Sequence, residues 1–153
     1  KRQGDGIFGT FEFYPEEGKY FASGHRNCDY FTLKNERRCP VCGKILTEGV
    51  MQRIQSLGGE KKEYDKKVFY NAPIDVILKY CREKYKIKKS LNKMKSEVED
   101  GMPEMYMKIF ADAEEINRVI KIPIGDMIVK TRNKELKFNP GYDGIYGKIS
   151  KEE

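Results

Sequence analysis

Hydrophobic and polar positions alternate near the start of the chain, as they do in a half-buried strand. Residues 10–14 alternate and are rich in aromatic side chains. Residues 15–18 then have turn chemistry, because Pro15 fixes φ and Gly18 tolerates positive φ. Residues 19–22 would return as the second strand. The pattern therefore predicts a β-hairpin over residues 9–22.

Helical spacing begins in the middle of the chain. Thr47 has the chemistry of a helix N-cap, and Val50, Ile54 and Leu57 then fall on one face before Gly58. Residues 73–85 predict a helix with Pro73 in its first turn, and Ser90 predicts the cap of another that runs to about residue 100. Residues 102–128 predict one or two more helices, interrupted near residue 123. Residues 139–147 form a dense turn segment.

These elements predict an α+β protein, with a small β-hairpin and zinc-knuckle module followed by a small helical module. We place the β-rich module at residues 1–59 and a charged linker at 60–72. The helical module would then occupy residues 73–150 and include the Gly- and Tyr-rich turn near the end.

Composition narrows the class of protein. Apolar residues make up 39% of the 153 positions, and no apolar run approaches about 18 residues, so a membrane-spanning protein is excluded. The chain begins at Lys1 without Met or a signal-type segment, so we interpret it as part of a longer protein. Four cysteines without a secretory signal favour a reducing, cytoplasmic location, where clustered cysteines hold metal more often than they form disulfides.

Charge is concentrated in one block. Residues 60–95 hold 12 basic and 5 acidic side chains, whereas residues 96–126 hold 3 basic and 8 acidic ones. A positive block attracts phosphate polyanions, although it is also compatible with an ordinary solvated helix face. We therefore expect DNA to be a partner, bound through its phosphates.

The clearest chemical signal is a pair of two-residue spacings. His25 and Cys28 are followed by Cys39 and Cys42, with Gly43 directly after the last thiol. This is the spacing of a zinc knuckle, in which thiolates three positions apart grip one tetrahedral ion. The sequence predicts a closed structural zinc site with these four ligands.

Three alternatives remain open at this site. A redox-active pair would open a helix after a strand, and a catalytic zinc would need an open coordination position. Cys81 competes with His25 as the fourth ligand, although its place on an apolar helical stripe favours a core role.

The ordered series of motifs resembles the C-terminal part of the endonuclease Q family, which are PHP-domain proteins of bacteria and archaea. The resemblance is strong over residues 9–57 and 138–149 and loose over 60–130. It rests on Gly9 to Tyr20, Gly24 to Cys28, Cys39 to Lys44, Gly49, Val50, Arg53, and Pro140 to Ile149.

The resemblance implies a zinc-binding domain and a helical domain that follow a PHP nuclease domain. It implies that the complete protein cleaves DNA beside a deaminated base and acts in DNA repair. The PHP metal site is built from several His, Asp and Glu residues, and this chain has one His. That domain would lie before Lys1 and would be the partner of this region, which would have no catalytic residues. The resemblance also implies four Cys ligands at the zinc site in archaeal members. Bacterial members have His-x-x-Cys in the first half of the site, as this chain does.

Seven residues are candidates for contact with DNA. Lys86, Lys89 and Lys93 would share a helical face if the second helix of the helical module began early, and Arg37 and Arg38 flank the zinc knuckle. Tyr142 and Tyr146 could stack on an unpaired base or simply pack in a tight turn. The alternative function is a zinc-stapled protein–protein interaction module that does not bind nucleic acid, and a third is an independent enzyme.

Overall fold

The computed structural model of the chain describes residues 9–58 and 67–150, and these divide into two compact units. The helical unit comprises residues 9–13 and 67–136. The cysteine unit comprises residues 14–58 and 137–150. The described residues form six α-helices and three two-stranded sheets, so the fold is α+β, as the sequence predicts.

The element bounds follow the chain order. The α-helices of the described residues are α1 (Val50–Leu57), α2 (Ile74–Lys84), α3 (Leu91–Gly101), α4 (Glu104–Ile109), α5 (Ala113–Ile120) and α6 (Gly125–Arg132). The strands are β1 (Gly9–Phe13), β2 (Ser23–His25), β3 (Tyr30–Thr32), β4 (Lys67–Asn71), β5 (Phe138–Asn139) and β6 (Lys148–Ile149). Among the residues described, no helix has the length and apolar character that crossing a membrane requires.

The predicted hairpin over residues 9–22 is wrong. β1 instead pairs with β4 in parallel, with Gly9 opposite Lys67 and Phe13 opposite Asn71. Residues 15–17 form a 3₁₀ turn, and the carbonyls of Tyr20 and Phe21 accept the first N–H groups of α1. The backbone of residues 19–22 is therefore used to start a helix and is not available for a second strand with β1.

The helical unit is built much as the sequence predicted. Pro73 precedes α2, and the Ser90 side chain accepts a hydrogen bond from the N–H of Lys93 at the start of α3. Residues 102–128 contain α4, α5 and the first part of α6, which is more than predicted, because Asp112 caps α5 separately. The fully buried side chains of this unit include Ile77, Leu78, Cys81, Met94, Met107, Ile116, Ile124 and Ile128.

The cysteine unit joins two distant parts of the chain. β2 and β3 form an antiparallel pair, and β5 pairs with β6. The N–H groups of Gly141 and Gly147 donate to the carbonyls of Glu16 and Glu17 at 2.8 and 3.0 Å. Residues 137–150 thus belong with the loops that carry His25 and the three clustered cysteines, whereas the sequence pattern predicts them in the helical module. The predicted linker at 60–72 is also partly wrong, because residues 67–71 form β4. Residues 60–66 of the predicted linker lie outside the described part of the chain.

The first helix of the cysteine unit differs from its prediction in two ways. Thr47 does not cap it, because the N–H and C=O of Thr47 pair with Gly24 and the helix begins at Val50. The predicted apolar face of Val50, Ile54 and Leu57 is exposed, and the buried residue of α1 is Gln52. Met51 is half-buried against the cluster of Phe21, Ala22 and Tyr142, so the helix packs through Met51 and Gln52 rather than through the predicted apolar row.

The side chain of Arg132 links two helices of the helical unit. Its guanidinium donates to the carbonyls of Lys108 at 3.0 Å, Met107 at 3.1 Å and Ala111 at 2.6 Å. These carbonyls lie at and just beyond the C-terminal end of α4, where helical partners are lacking. Burial lowers the pKa of Arg132. One side chain thus ties α6 to the end of α4.

We expect Arg132→Ala to destabilise the helical unit by about 1–3 kcal/mol, because three carbonyls lose a charged donor. Denaturant unfolding followed by circular dichroism would measure the change. Arg118→Ala, at an exposed position of α5, is the matched control and should change stability little. Equal effects of the two substitutions would contradict this role of Arg132.

Candidate metal centre and basic surfaces

Two loops of the cysteine unit bring the predicted metal ligands together. His25 ends β2, and Cys28 closes the 3₁₀ turn Arg26–Cys28 that leads into β3. Cys39 and Cys42 lie in a turn held by hydrogen bonds from the N–H of Cys39 to Lys44 and from the N–H of Gly43 to Cys39. Gly43 has φ of +73°, a conformation that strongly favours glycine.

The four ligand atoms lie close enough together to share one metal ion. They all lie within 4.8 Å of one another, and the Sγ of Cys42 is 3.3 Å from the Nδ1 of His25. Zn–S bonds of about 2.3 Å place tetrahedral sulfurs roughly 3.8 Å apart, so little movement is needed to bind. A group of three sulfurs and one imidazole could therefore hold a metal with all four positions filled by protein.

The thiols of this cluster differ in acidity. Burial acts to raise the pKa of Cys39, but hydrogen bonds from the N–H groups of Cys42 and Val41 and from His25 outweigh it and lower the pKa to about 6. A hydrogen bond with Cys42, followed by burial, raises the pKa of Cys28 to about 11. Thiolates are the form that binds metal, so all three sulfurs would have to be deprotonated when an ion is bound.

Cys81 is not part of the cluster. It lies on α2 in the helical unit, its side chain is fully buried, and burial raises its pKa to about 12. These properties describe an inert core thiol. The geometry favours His25 over Cys81 as the fourth ligand.

Two acidic residues that sequence reasoning missed anchor the metal loops to the C-terminal turn. The Asp143 carboxylate accepts from the N–H of Arg26 at 2.8 Å and from the hydroxyl of Thr47 at 2.5 Å. These two bonds hold the pKa of Asp143 below its usual range. The hydroxyl of Tyr142 donates to Asp29 at 2.5 Å. The sequence indicates the role of Asp143 only through its position directly after Tyr142 in the turn motif.

Tyr142 has the packing role rather than the stacking role. It is 6% exposed, its ring lies 5.1 Å from that of Phe31, and it forms a core cluster with Phe21 and Ala22. Burial, followed by the bond to Asp29, raises its pKa to about 12. Its ring is covered by protein, so this structure contradicts Tyr142 as a base-stacking residue. Tyr146 is 65% exposed, so its ring is accessible to an unpaired base.

Arg37 and Arg38 are exposed beside Cys39. The Nη1 of Arg38 donates to the carbonyl of Gly43 at 3.0 Å, which holds its guanidinium against the metal-binding turn. Both arginines line a groove of about 630 Å³ together with Ser23, Asn35, Glu36, Ile45, Leu46, Glu48, Gln52, Arg53 and Ser56. Arg53 is the third arginine of this groove and was not among the predicted DNA contacts.

The three candidate lysines do not share a helical face. α3 begins at Leu91, so Lys86 and Lys89 lie before it in the connection from α2, and Lys86 has φ of +51°. The Nζ of Lys89 is bound to both carboxylate oxygens of Glu97, at 2.9 and 2.7 Å. The predicted helical face is therefore wrong, although Lys86 and Lys93 are exposed.

No protein-family model matches the chain. It is 26% identical to the uncharacterized protein YqxK of Bacillus subtilis and 26% identical to the uncharacterized protein MJ0043 of Methanocaldococcus jannaschii, with 94% of the chain aligned in each case. The chain spans 35% of the first relative and 19% of the second.

Two solved structures share its fold. One is the lesion-specific endonuclease PfuEndoQ of Pyrococcus furiosus, with a TM-score of 0.75 and 24% identity over 94% of this chain and 38% of that one. The other is an endonuclease Q complex with a 27-mer duplex substrate carrying an abasic lesion at the active site. Its TM-score is 0.74, at 24% identity over 96% of this chain and 39% of that one. The resemblance to a part of endonuclease Q is thus confirmed in the fold.

We expect purified protein to contain one metal ion per chain, and Cys39→Ser to lose it, because the variant lacks a ligand of the cluster. The cysteine unit should unfold in this variant, since structural metal contributes directly to folding. Elemental analysis together with circular dichroism would measure both effects. Cys81→Ala is the matched control and should keep the metal. Full metal content in Cys39→Ser would contradict the assignment.

Proposed function

We propose that this chain is a non-catalytic, zinc-containing and DNA-binding region of a DNA-repair endonuclease. The observation that carries the proposal is the fold shared with part of endonuclease Q over 94–96% of the chain. One of those structures is a complex with duplex DNA that carries an abasic lesion. The complete protein would cleave DNA at a deaminated base through an upstream PHP domain in the same chain, in the cytoplasm.

Zinc is the metal we propose, in a structural role. Three thiolates and one imidazole are ligands that suit zinc, and four protein ligands leave no position for a reactive water. The ion would join the loop after β2 to the turn that carries Arg37 and Arg38. It would thereby fix the arginines in the surface without touching DNA itself.

The arginines beside the metal are the contacts with phosphate that we favour. Arg38 is held by the carbonyl of Gly43 in the metal-binding turn, and Arg37 and Arg53 line the same groove. Guanidinium groups suit phosphate, and such contacts position DNA without reading its sequence. Lys86 and Lys93 are secondary candidates, because both are exposed but they share no helical face.

We expect the zinc-loaded chain to bind duplex DNA with an affinity that falls steeply with salt, because phosphate contacts release counterions. Arg37→Glu with Arg38→Glu should weaken binding at least tenfold and flatten the plot of log affinity against log salt by about 2 units. Fluorescence anisotropy with a labelled duplex at several salt concentrations would measure both quantities.

Lys86→Glu with Lys93→Glu is the matched double reversal in the helical unit. A larger loss with this pair than with the arginines would contradict the arginine assignment and place the DNA-facing surface in the helical unit. Wild-type protein that binds no DNA at low salt would contradict the proposed function.

We also expect the chain alone not to cleave DNA. A filled metal site offers no activated water, and the single histidine of the chain, His25, already belongs to that site. Uracil- or hypoxanthine-containing duplex incubated with Mg²⁺ or Mn²⁺ should stay intact on a denaturing gel. Nicking that survives repurification and is lost in Cys39→Ser would contradict the non-catalytic role.

One observation favours the alternative of a protein–protein interaction module. The side chains of Val50, Ile54 and Leu57 on α1 are 53%, 55% and 68% exposed, and a row of exposed apolar residues is a common protein-binding surface. The DNA-binding measurement separates the two functions. Loss of a protein partner on Ile54→Asp, in a chain that binds no DNA, would favour the adaptor.

A further inference from the structure

Two exposed tyrosines of the cysteine unit flank one lysine. The Nζ of Lys19 lies 5.6 Å from the ring centroid of Tyr20 and 5.9 Å from that of Tyr146. Tyr20 is 44% exposed and Tyr146 65% exposed, and Lys19 is exposed as well. Large rings that pack in a core are covered, as Tyr142 is, so these two rings are available to a ligand.

The arrangement is held by the backbone rather than by local helical spacing. The N–H of Gly144 donates to the carbonyl of Lys19 at 3.0 Å, and the N–H of Gly147 donates to that of Glu17 at 3.0 Å. These bonds fix the segment on either side of Tyr146 against the segment that carries Tyr20. Lys84 also lies near two rings, those of Tyr80 and Tyr85, but that contact arises from neighbouring positions at the end of α2.

A second cation lies at the same surface. A Cβ on Gly144 would lie 3.7 Å from the Nη1 of Arg26 and 3.8 Å from the hydroxyl of Tyr20, so both groups lie close to the same point of the turn. Gly144 has φ of +88°, which a residue with a side chain rarely adopts. Asp143 is nearby, but its two oxygens already accept from the N–H of Arg26 and from Thr47.

We infer that Lys19, Tyr20, Arg26 and Tyr146 form a binding site for unpaired nucleotides of DNA. Every base has a face that stacks on an aromatic ring, and cations between and beside the rings match the phosphates that link successive bases. In paired DNA the base faces are covered by their neighbours, so the site would favour single-stranded over duplex DNA. The inference rests on the proposed function, since it deepens how this region holds DNA.

The test compares a labelled single-stranded oligothymidine with a blunt duplex of the same length, each titrated with the zinc-loaded chain in an anisotropy assay. We expect Tyr20→Leu and Tyr146→Leu each to weaken single-strand binding about fivefold or more, and duplex binding by less than about twofold. The salt dependence should stay unchanged in both, because a lost stacking contact releases no counterion. Tyr20→Phe and Tyr146→Phe keep the ring and should bind like wild type.

Two further variants sharpen the test. Lys19→Gln should lower the single-strand salt slope by about 0.7, the contribution of one phosphate on a single strand. Tyr85→Leu is the matched control, since it removes a similarly exposed ring beside Lys84 in the helical unit, and it should bind normally. Metal content, measured for each variant, verifies that the cysteine unit is folded.

The outcomes separate this inference from the proposed function. Wild-type binding to DNA that is unchanged by both leucine variants would overturn the stacking site and leave the proposed function standing. Equal losses on single strand and duplex would also overturn it, because the contact would then not be specific for unpaired bases. A wild-type chain that binds neither oligonucleotide would overturn the proposed function itself.

Discussion

The cysteine unit depends on close backbone contact between the segment that follows β1 and the segment around β5 and β6. Glycine makes this approach possible. A Cβ on Gly147 would lie 2.2 Å from the carbonyl oxygen of Glu16, and one on Gly24 would lie 2.4 Å from the ring of Tyr142. Because these are contacts with backbone and with a buried ring, the neighbours cannot move aside. The hydrogen bonds from Gly141, Gly144 and Gly147 form only at this separation.

This contact sets the positions of the chemical groups above it. The ring of Tyr142 packs against Phe31, and its hydroxyl donates to Asp29, which directly follows Cys28 in the chain. Asp143 then bonds to the N–H of Arg26 in the loop that carries Cys28, although the two residues are 117 positions apart. The loop that carries His25 and Cys28 and the C-terminal turn are therefore joined by one set of polar contacts. Loss of the turn should disturb the position of these two side chains.

The same backbone contact explains why one tyrosine of the C-terminal turn is buried and the other is exposed. Tyr142 packs inward because the chain enters the turn against Ala22, whose N–H bonds to the carbonyl of Gly141. Tyr146 follows the positive-φ residues Asp143 and Gly144, which reverse the chain and leave its ring outside beside Lys19. A core residue and an exposed aromatic thus come from one short glycine-rich motif. The arginines beside Cys39 add a second exposed basic feature to this unit.

The sequence by itself determined the features that depend on neighbouring residues. The spacing of His25, Cys28, Cys39 and Cys42 predicted that these four potential metal ligands lie together, because a knuckle is closed by a few local backbone bonds. Pro73 and Ser90 marked the starts of α2 and α3, and Cys81 on its apolar stripe was correctly placed in the core. Local capping and periodicity were sufficient for these elements.

Only the tertiary structure decided which distant segments pair. β1 pairs with β4 and not with the residues that follow its turn, since the carbonyls there bind the first N–H groups of α1. α1 packs through Met51 and Gln52 rather than through the row of Val50, Ile54 and Leu57. The C-terminal turn belongs to the unit of the cysteine loops rather than to the helical unit. These outcomes follow from competition for backbone partners and from the space that glycines leave. The periodicity of a single segment encodes neither the choice of backbone partner nor the available space, because both depend on the groups that a distant segment places beside it.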